Sequence, residues 1–458
     1  MKSESRGMNR RQFLTTSGMA VAGSVLASPL SSLYSQSRSG NKMKVAIVGT
    51  GSRGTGMWGS SVQQAYGRDY VDFVGLCDPN EGRVEYAKNY IGADCDTFTN
   101  FEQMMRRTKP DKLIVTTVDA YHHEYIIKGM EMGADIITEK PMTTDEKKTQ
   151  AIIDAQEKTG RDVIVTFNYR YSPHRQKIKE LLMNGRIGKL QSVDFHWYLD
   201  VYHGADYYRR WHGLREKGGT LLVHKSAHHF DLLNWWLDTD PEIVSAFGAL
   251  DVYGSNGPFR DTNCRPCPHK DECDFYWDIT DNSRYMDLYV ANEEYDGYLR
   301  DGCVYRNEID IYDKRSLAVQ YANGVTLSYS LYNYAPYEGY RIAFNGTEGR
   351  IDAWIKEREP WPTPEYDEIR VTENFSHTEL IRIPHGGGGH GGGDTRLKDS
   401  IFKDPNAPDP MSLRAGTRDG AMAILPGIAA DHSIQQNGAA IKIGDLTSLQ
   451  PMAKRPRA

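Results

Sequence analysis

The sequence lacks a strong excess of charge of either sign. Its 55 Lys and Arg residues stand against 61 Asp and Glu residues, which leaves a formal net charge of −6 over 458 residues. Such a balance creates no global field that would favour nucleic acid or an anionic membrane surface. We therefore expect no nucleic-acid partner.

Long apolar runs are missing as well. The apolar stretch near the N-terminus ends at about Pro29, and it is shorter and weaker than the roughly 20 apolar residues that a membrane-spanning helix needs. We expect no transmembrane span beyond a possible signal anchor. Cysteine is scarce, with 6 residues, and four of them fall between positions 264 and 303.

Apolar residues make up 39% of the chain, which is enough for a sizeable core. The length predicts a soluble globular protein of roughly two to three domains. The 28 Tyr and 8 Trp residues are of a kind that often covers carbohydrate faces, but such rings also serve in cores and interfaces. Composition alone does not decide between those uses.

The first 36 residues form a segment that is set apart from the fold. The stretch Asn9-Arg10-Arg11-Gln12-Phe13-Leu14 precedes a mildly hydrophobic run and resembles a twin-arginine export signal. It predicts export of a folded protein to the periplasm or cell envelope. No clear cleavage site is visible, so a retained anchor stays open, and a disordered basic tail is the alternative.

Residues 44–56 read KVAIVGTGSRGTG and predict a strand, a tight turn and a helix. Gly49, Gly51 and Gly54 have the spacing that a dinucleotide pyrophosphate requires, with the phosphates on backbone N–H groups at the helix N-terminus. Asp78 ends the next apolar run and can accept from the ribose hydroxyls, which favours NAD over NADP. Arg83 is close enough to keep NADP open.

Residues 42–165 alternate short apolar runs with helical segments and predict a doubly wound parallel sheet, the Rossmann domain. The five candidate strands are KVAIVG, YVDFVGLCD, KLIVTTV, ADIITEKP and DVIVTF. Thr116 to His123 and Glu139-Lys140-Pro141 then lie at the carboxyl edge, where open α/β sheets bind ligands.

Residues 166–345 predict a second α/β domain with a large open, mainly antiparallel sheet. Asn323-Gly324 predicts a hairpin turn inside it. An insertion, residues 253–304, interrupts this domain. Residues 346–458 then comprise a glycine-rich loop and a C-terminal closing segment. His385, His390 and Asp394 of the loop could touch substrate or a metal, and a flexible connector is the alternative.

The insertion contains a cysteine cluster. Cys264 and Cys267 are spaced as a close metal-binding pair, and Cys273 and Cys303 complete a possible tetrathiolate zinc site. Two disulfides are the alternative, because an exported protein meets an oxidising compartment. In either case the cluster has a structural role.

Five blocks of the sequence resemble, in order, the signature blocks of the Gfo/Idh/MocA family of nicotinamide-dependent oxidoreductases. They read GTGSRG, CDPN, TTVDAYHHEYIIKGMEMGADIITEKPM, YRYSPHRQKIKELLMNGRIGKLQSV and GGTLLVHKSAHHFDLLNWWL. The resemblance covers nearly all of the chain after the signal segment. It implies a Rossmann domain followed by an α/β domain whose open sheet meets the nicotinamide, and it implies a homo-oligomer.

The resemblance also implies site residues. Lys140 matches the active-site lysine and His228 the active-site histidine, while Asp231 looks structural. Cofactor contacts are implied for Gly49, Gly51, Ser52, Arg53, Gly54, Asp78, Thr117, His122, Glu139 and Lys140, and substrate contacts for Lys140, Tyr169, Arg170, Lys225, His228 and His385.

The chemistry of alcohol oxidation is consistent with these roles. A base must remove the hydroxyl proton as hydride leaves, and histidine suits that task near neutral pH. A partly desolvated Lys140 can donate a hydrogen bond or relay a proton. His224 stands where the family commonly has an aspartate, which puts the usual proton relay in doubt. His224 and His228, four residues apart, could act on substrate or bind a metal.

The predicted function is hydride transfer between a tightly bound NAD and a secondary alcohol of a sugar, glycoside or polyol. The first alternative is NAD-dependent glycoside cleavage, in which the sugar is transiently oxidised and the aglycone eliminated. The second alternative is a non-enzymatic sugar-binding protein on the same fold.

Overall fold

The structure is a computed structural model, and it describes residues 42–362, 364–387 and 389–456. The predicted export signal, residues 1–36, lies outside this range. Within the described residues, no helix is both long and apolar enough to cross a membrane.

The first sheet has six parallel strands in the order β3-β2-β1-β4-β5-β6. The strands are β1 Met43–Val48, β2 Val71–Cys77, β3 Asp96–Phe98, β4 Lys112–Val115, β5 Asp135–Thr138 and β6 Val163–Val165. All five predicted strands are confirmed, and only the three-residue β3 was missed.

The helices between these strands cover both faces of the sheet. They are a π-helical turn Gly54–Ser60 leading into α1 Ser61–Tyr66, α2 Glu81–Ile91, α3 Phe101–Thr108, α4 His122–Glu131 and α5 Glu146–Thr159. Local chemistry sets their ends. Asn80 caps α2 by accepting from the Arg83 N–H, and Asp145 caps α5 in the same way.

The second sheet has nine strands in the order β14-β13-β12-β11-β7-β10-β9-β8-β15. They are β7 Leu190–Asp200, β8 Pro241–Ala249, β9 Lys314–Tyr321, β10 Thr326–Ala335, β11 Glu338–Gly346, β12 Gly349–Arg358, β13 Tyr366–Glu373, β14 Thr378–Pro384 and β15 Ile441–Lys442. Only the β7–β10 pair is parallel. The predicted large, mainly antiparallel sheet is confirmed.

The predicted end of the second domain at residue 345 needs correction, because four strands of the same sheet follow it. β13 and β14 were missed since charged residues interrupt their apolar alternation. The hairpin at Asn323-Gly324 is present, with Gly324 at φ 88° between β9 and β10.

Helices cover one face of this sheet and leave the other open. The helices that follow β6 in the chain are α6 Pro173–Met183, α7 Val201–Arg209, α8 Arg215–Gly218, α9 Leu221–His224, α10 Ser226–Leu237, α11 Ser283–Leu288, α12 Gly393–Lys398 and α13 Thr417–Gln435. Among them, α7, α10 and α13 pack on this sheet. The strict alternation of exposed and buried residues along β9 and β10 marks the two faces. Phe195, Trp197 and Tyr329 are buried on the covered face and pack against α10.

Candidate active site

The glycine-rich loop after β1 forms a cradle. Gly49 has φ 90°, and an added Cβ there would lie 2.6 Å from the Thr116 carbonyl carbon and the Thr117 nitrogen. A Cβ at Gly54 would clash with the Gly49 carbonyl oxygen. At Gly51, by contrast, the nearest atom is the Tyr289 hydroxyl oxygen, 3.5 Å away. Two of the glycines thus serve close packing, while Gly51 leaves the space that a pyrophosphate would use.

Asp78 follows β2 and points at this loop. Its Oδ2 accepts from the Thr50 N–H at 2.8 Å, and its Oδ1 accepts from the Asn80 N–H at 3.0 Å. The Thr50 hydroxyl also donates to Oδ2, at 3.2 Å. A carboxylate has about four acceptor positions, so these three bonds leave room for a ribose hydroxyl. Asp78 therefore supports the turn itself, a role that the sequence reading did not anticipate.

Glu139 ties the cradle to the end of β5. Its Oε1 accepts from Arg53 Nε and from the indole nitrogen of Trp58, both at 2.7 Å. The carboxylate is buried and is engaged on the cradle side. It holds the side chains of Arg53 and Trp58 against the end of β5.

Lys140, which is half-buried, joins the buried side chains of His224 and Asp119 in a chain of three polar groups. Its Nζ lies 3.2 Å from His224 Nε2 and donates to the His224 carbonyl oxygen at 3.1 Å. On the far side of the ring, His224 Nδ1 contacts a carboxylate oxygen of Asp119. Because an ammonium group only donates, Nε2 is the acceptor, and Nδ1 carries the proton that it donates to Asp119.

The family commonly has an aspartate where this chain has His224, and Asp119 supplies a carboxylate to His224 instead. It comes from the turn after β4 in the Rossmann domain, whereas His224 ends α9 in the second domain. Sequence reasoning missed it, although its place in the TTVDAYHH block, on the same sheet edge as Lys140, was a usable signal.

Burial controls the charges of the three linked side chains, Lys140, His224 and Asp119. Desolvation lowers the pKa of Lys140 to about 8, although Asp119 and Glu139 oppose the shift. Desolvation also raises the pKa of Asp119 well above its ordinary value and lowers the pKa of His224 well below its own. Lys140 can therefore hold or release a proton close to neutral pH.

His228 lies in α10 against an aromatic ring. Its imidazole stacks on Tyr169 with ring centroids 4.0 Å apart and an interplanar angle of 9°. Its Nδ1 is buried with no hydrogen-bond partner among the described residues. Burial lowers the pKa of His228 well below its usual value, so the ring is neutral at pH 7. Lys225 Nζ lies 3.3 Å from the Tyr169 hydroxyl oxygen.

His122 and Thr117 support the backbone beside Lys140. The two ring nitrogens of His122 lie 2.9 Å from the Pro141 carbonyl oxygen and 3.1 Å from the Thr117 carbonyl oxygen. The ring thus links the loop after β4 to the loop that carries Lys140. Thr117 contributes backbone next to Gly49.

Arg170 is not available to a substrate, which corrects the role implied for it. It is buried, and its five N–H donors are taken by the carboxylates of Asp231 and Asp419 and by the carbonyl oxygens of Ser412 and Arg414. This network fixes Asp231 in place, in agreement with its structural reading. Arg170 joins α10 to the start of α13.

The two histidines of the glycine-rich loop, His385 and His390, lie in different places. His385 pairs with Asp367 at 3.2 Å and lines a cavity of about 790 Å³ beside the last strands of the second sheet. His390 instead lies with its ring centroid 5.6 Å from that of Tyr169. Its Nδ1 lies 3.0 Å from Asp394, beside Asn168. The loop therefore reaches the ring of Tyr169, on which His228 stacks, through His390, one of the loop residues predicted as possible substrate or metal contacts.

The structure also changes which side chains could share a metal. Ligand atoms of Asp119, His212 and His224 lie within 4.8 Å of one another. His224 and His228 do not form such a pair, because His224 turns to Asp119 and His228 to Tyr169. The Lys140 ammonium beside His224 opposes a cation there, so we interpret this cluster as a proton-handling network.

The four cysteines of the insertion converge. Cys264, Cys267, Cys273 and Cys303 line one cavity of about 10 Å³. Arg209 Nη1 donates to Cys264 Sγ at 3.0 Å. All six cysteines of the chain lie among the described residues, and none is in a disulfide. The cavity has room for a single ion.

A dinucleotide cradle beside a buried lysine–histidine chain, at the carboxyl edge of a Rossmann sheet, defines the class of nicotinamide-dependent oxidoreductases. A profile described as "Oxidoreductase family, NAD-binding Rossmann fold" matches residues 43–167, and one described as "Oxidoreductase family, C-terminal alpha/beta domain" matches residues 179–437. The chain belongs to the Gfo/Idh/MocA oxidoreductase family and is an NAD(P)-dependent enzyme.

Similar proteins agree with this membership. YteT of Bacillus subtilis, which is named as an oxidoreductase, is 38% identical over 403 residues, which are 84% of this chain and 94% of YteT. An inositol 2-dehydrogenase/D-chiro-inositol 3-dehydrogenase of Lactiplantibacillus plantarum is 22% identical over 39% of this chain and 48% of its own. A levoglucosan dehydrogenase solved with NADH and levoglucosan has the same fold, with TM-score 0.63 and 18% identity over 88% of this chain and 100% of its own.

Proposed function

We propose that this protein oxidises a secondary alcohol of a sugar, glycoside or polyol with an NAD cofactor that stays bound through turnover. The observation that carries the proposal is the Lys140–His224–Asp119 chain, which lies beside the neutral, unpaired imidazole of His228. Two separate groups can thus handle protons at the edge of the cradle.

The chemistry follows from the state of each group. The glycine cradle and Asp78 would hold the nicotinamide cofactor, which would supply the hydride acceptor. His228 removes the hydroxyl proton through Nε2, because the ring is neutral at pH 7 and none of the hydrogen bonds among the described residues engages that nitrogen. Lys140 donates a hydrogen bond to the same oxygen, and Asp119 holds His224 in the tautomer that accepts from Lys140.

A carbohydrate substrate is supported by two features. The inositol and levoglucosan dehydrogenases above are named for polyol and sugar substrates. In this chain the hydrogen-bonding side chains of Lys225, His228 and His390 gather around the buried Tyr169 ring. Clustered donors and acceptors of this kind suit the hydroxyl groups of a sugar or polyol.

NAD is favoured over NADP by the partners of Arg83. Its guanidinium forms an ion pair with Asp296 and lies 3.8 Å from Asp78. An arginine that is neutralised on both sides gives little attraction to a 2′-phosphate, while Asp78 repels one. We therefore expect NAD.

Export of the protein would explain why its NAD cofactor has to stay bound. If the N-terminal segment is a twin-arginine signal, the folded protein leaves the cytoplasm and its soluble NAD pool. Cofactor must then be loaded before export and recycled in place, which requires a dissociation constant far below any free concentration outside.

The test is to denature freshly purified, extensively dialysed protein and assay the supernatant for nicotinamide. We expect about one NAD per chain, as mass action requires for a cofactor bound this tightly. Asp78→Ala is the matched variant and should hold less. Recovery of far less than one NAD from the wild type, with activity only after NAD is added, would contradict retention and point to an ordinary soluble dehydrogenase.

Redox-neutral glycoside cleavage is the second candidate. Elimination of an aglycone needs a base for the carbon acid and an acid for the leaving group, and His228 and the Lys140 chain provide two such groups. The products distinguish the candidates. Free keto-sugar supports oxidation, whereas release of an aglycone without net redox change supports cleavage.

For the cysteine cluster we propose structural zinc. The convergence of all four thiols on one ion-sized cavity supports it, as does the Arg209 donor at Cys264. Elemental analysis of protein purified without added metal should give about one zinc per chain, as for tetrathiolate sites. Cys264→Ser should lose it and Cys95→Ser should not. Absence of zinc, with none of the four thiols free, would establish disulfides instead.

A further inference from the structure

Residues of the insertion reach across to the cradle. The Tyr289 hydroxyl oxygen accepts from the Ser52 N–H at 2.8 Å, and Arg284 Nη2 donates to the Ser52 carbonyl oxygen at 3.1 Å. Ser52 is the residue directly after Gly51, so both contacts fall where the cradle is open. They join the second domain to the loop that would hold the pyrophosphate.

The contact between insertion and Rossmann domain is broad. Asn80 Nδ2 donates to the Asn292 carbonyl oxygen at 2.9 Å, and Arg83 forms its ion pair with Asp296. A Cβ at Gly82 would clash with the Asn292 side chain, so this glycine permits the close approach. The insertion therefore covers the adenosine side of the cradle as well as its centre.

Two side chains at this contact, Arg284 and Tyr289, have hydrogen-bond donors that none of the described contacts uses. The Arg284 Nε is buried with no hydrogen-bond partner among the described residues. The Tyr289 hydroxyl accepts from Ser52, and none of the described contacts uses its own proton. Burial raises the pKa of Tyr289, so the phenol keeps that proton and can donate it.

We propose that Tyr289 and Arg284 form the outer wall of the pyrophosphate site, so that the insertion clamps the nicotinamide cofactor and sets its rate of release. The inference rests on the proposed function, since it requires that the cradle binds a dinucleotide. On binding, the Ser52 N–H and the Tyr289 O–H both donate to anionic oxygens, and the Arg284 guanidinium adds a charge-assisted bond. Release requires these contacts to open together.

The segment that contains the clustered cysteines also contacts the turn next to Tyr289. Arg265, in the Cys264–Cys267 segment, pairs with Glu293 in the turn next to Tyr289 and with Asp301. The same Asp301 accepts from Asn263, and its carbonyl oxygen accepts from the Cys264 N–H. The turn next to Tyr289 is thus held to the cysteine segment by half-buried ion pairs.

The test measures cofactor release directly. Protein loaded with NADH is mixed with a large excess of NAD, and the loss of bound-NADH fluorescence gives the release rate. Tyr289→Phe keeps the ring and removes only the hydroxyl, and Arg284→Gln removes the charge. Each should speed release about ten- to a hundredfold, the effect of losing one hydrogen bond to a charged group.

Tyr295→Phe is the matched control, because Tyr295 lies in the adjacent turn with its side chain half exposed. It should leave the rate unchanged, and thermal unfolding midpoints should show that all variants fold. Release from Tyr289→Phe and Arg284→Gln at the wild-type rate overturns the clamp alone. Failure of the wild type to bind NADH overturns the proposed function and this inference with it.

Discussion

Turnover of a Lys140→Ala variant should fall by about two to four orders of magnitude, the usual span for general acid–base groups. The substitution removes the Nζ that His224 and Asp119 hold in place, so the reacting oxygen loses its buried donor. The measurement is steady-state turnover together with nicotinamide content. Because Lys140 is not needed to hold the pyrophosphate, bound cofactor should be retained.

Lys128→Ala provides the control for this variant. Lys128 is a half-exposed lysine of the same domain, and its contact with Glu102 at 3.7 Å is a surface ion pair, which contributes little to stability. It should leave turnover unchanged. Near-normal turnover of Lys140→Ala would remove Lys140 from the mechanism, and the buried chain would then have only a structural role.

A His228→Ala variant should lose turnover on a similar scale, by about two to four orders of magnitude. The imidazole is neutral and none of the hydrogen bonds among the described residues engages its Nε2, so we expect that nitrogen to take the hydroxyl proton. The loss should appear in turnover, measured at saturating substrate, while nicotinamide content stays at the wild-type level.

The control for this second variant is His377→Ala, which changes a largely exposed histidine in the turn between β13 and β14. Wild-type turnover is expected there. An unfolding midpoint close to that of the wild type would show that removing the ring stacked on Tyr169 has not disrupted the core. If folded His228→Ala turns over normally, another group is the base.

Much of the fold could be predicted because it depends on short local patterns in the sequence. Each strand of the Rossmann domain longer than three residues has a continuous apolar run, and the cradle has its glycines within six positions of one another. The strands β13 and β14 could not be predicted in this way. Their buried residues, such as Ile369 and Val371, alternate with charged ones, and their assignment depends on pairing with β12.

The site itself was predictable only in part. Lys140 and His228 were found from their motifs, but the motif around His228 gave no partner for His224. That partner is Asp119, which lies 105 positions earlier in the chain. Arg170 shows the opposite case, because its motif suggested a substrate contact whereas its donors are consumed by Asp231 and Asp419.

The sequence by itself determined the family, the Rossmann cradle, the acidic residue after β2 and the lysine at the sheet edge, because each depends on residues that are neighbours in the chain. Only the tertiary structure decided which groups share protons with Lys140, which arginine is buried in an ion-pair network and where the cysteine insertion lies. Those features depend on side chains brought together by the packing of two domains. No local pattern records that packing, so the Asp119–His224 contact and the contact of Tyr289 with Ser52 became visible only in the folded chain.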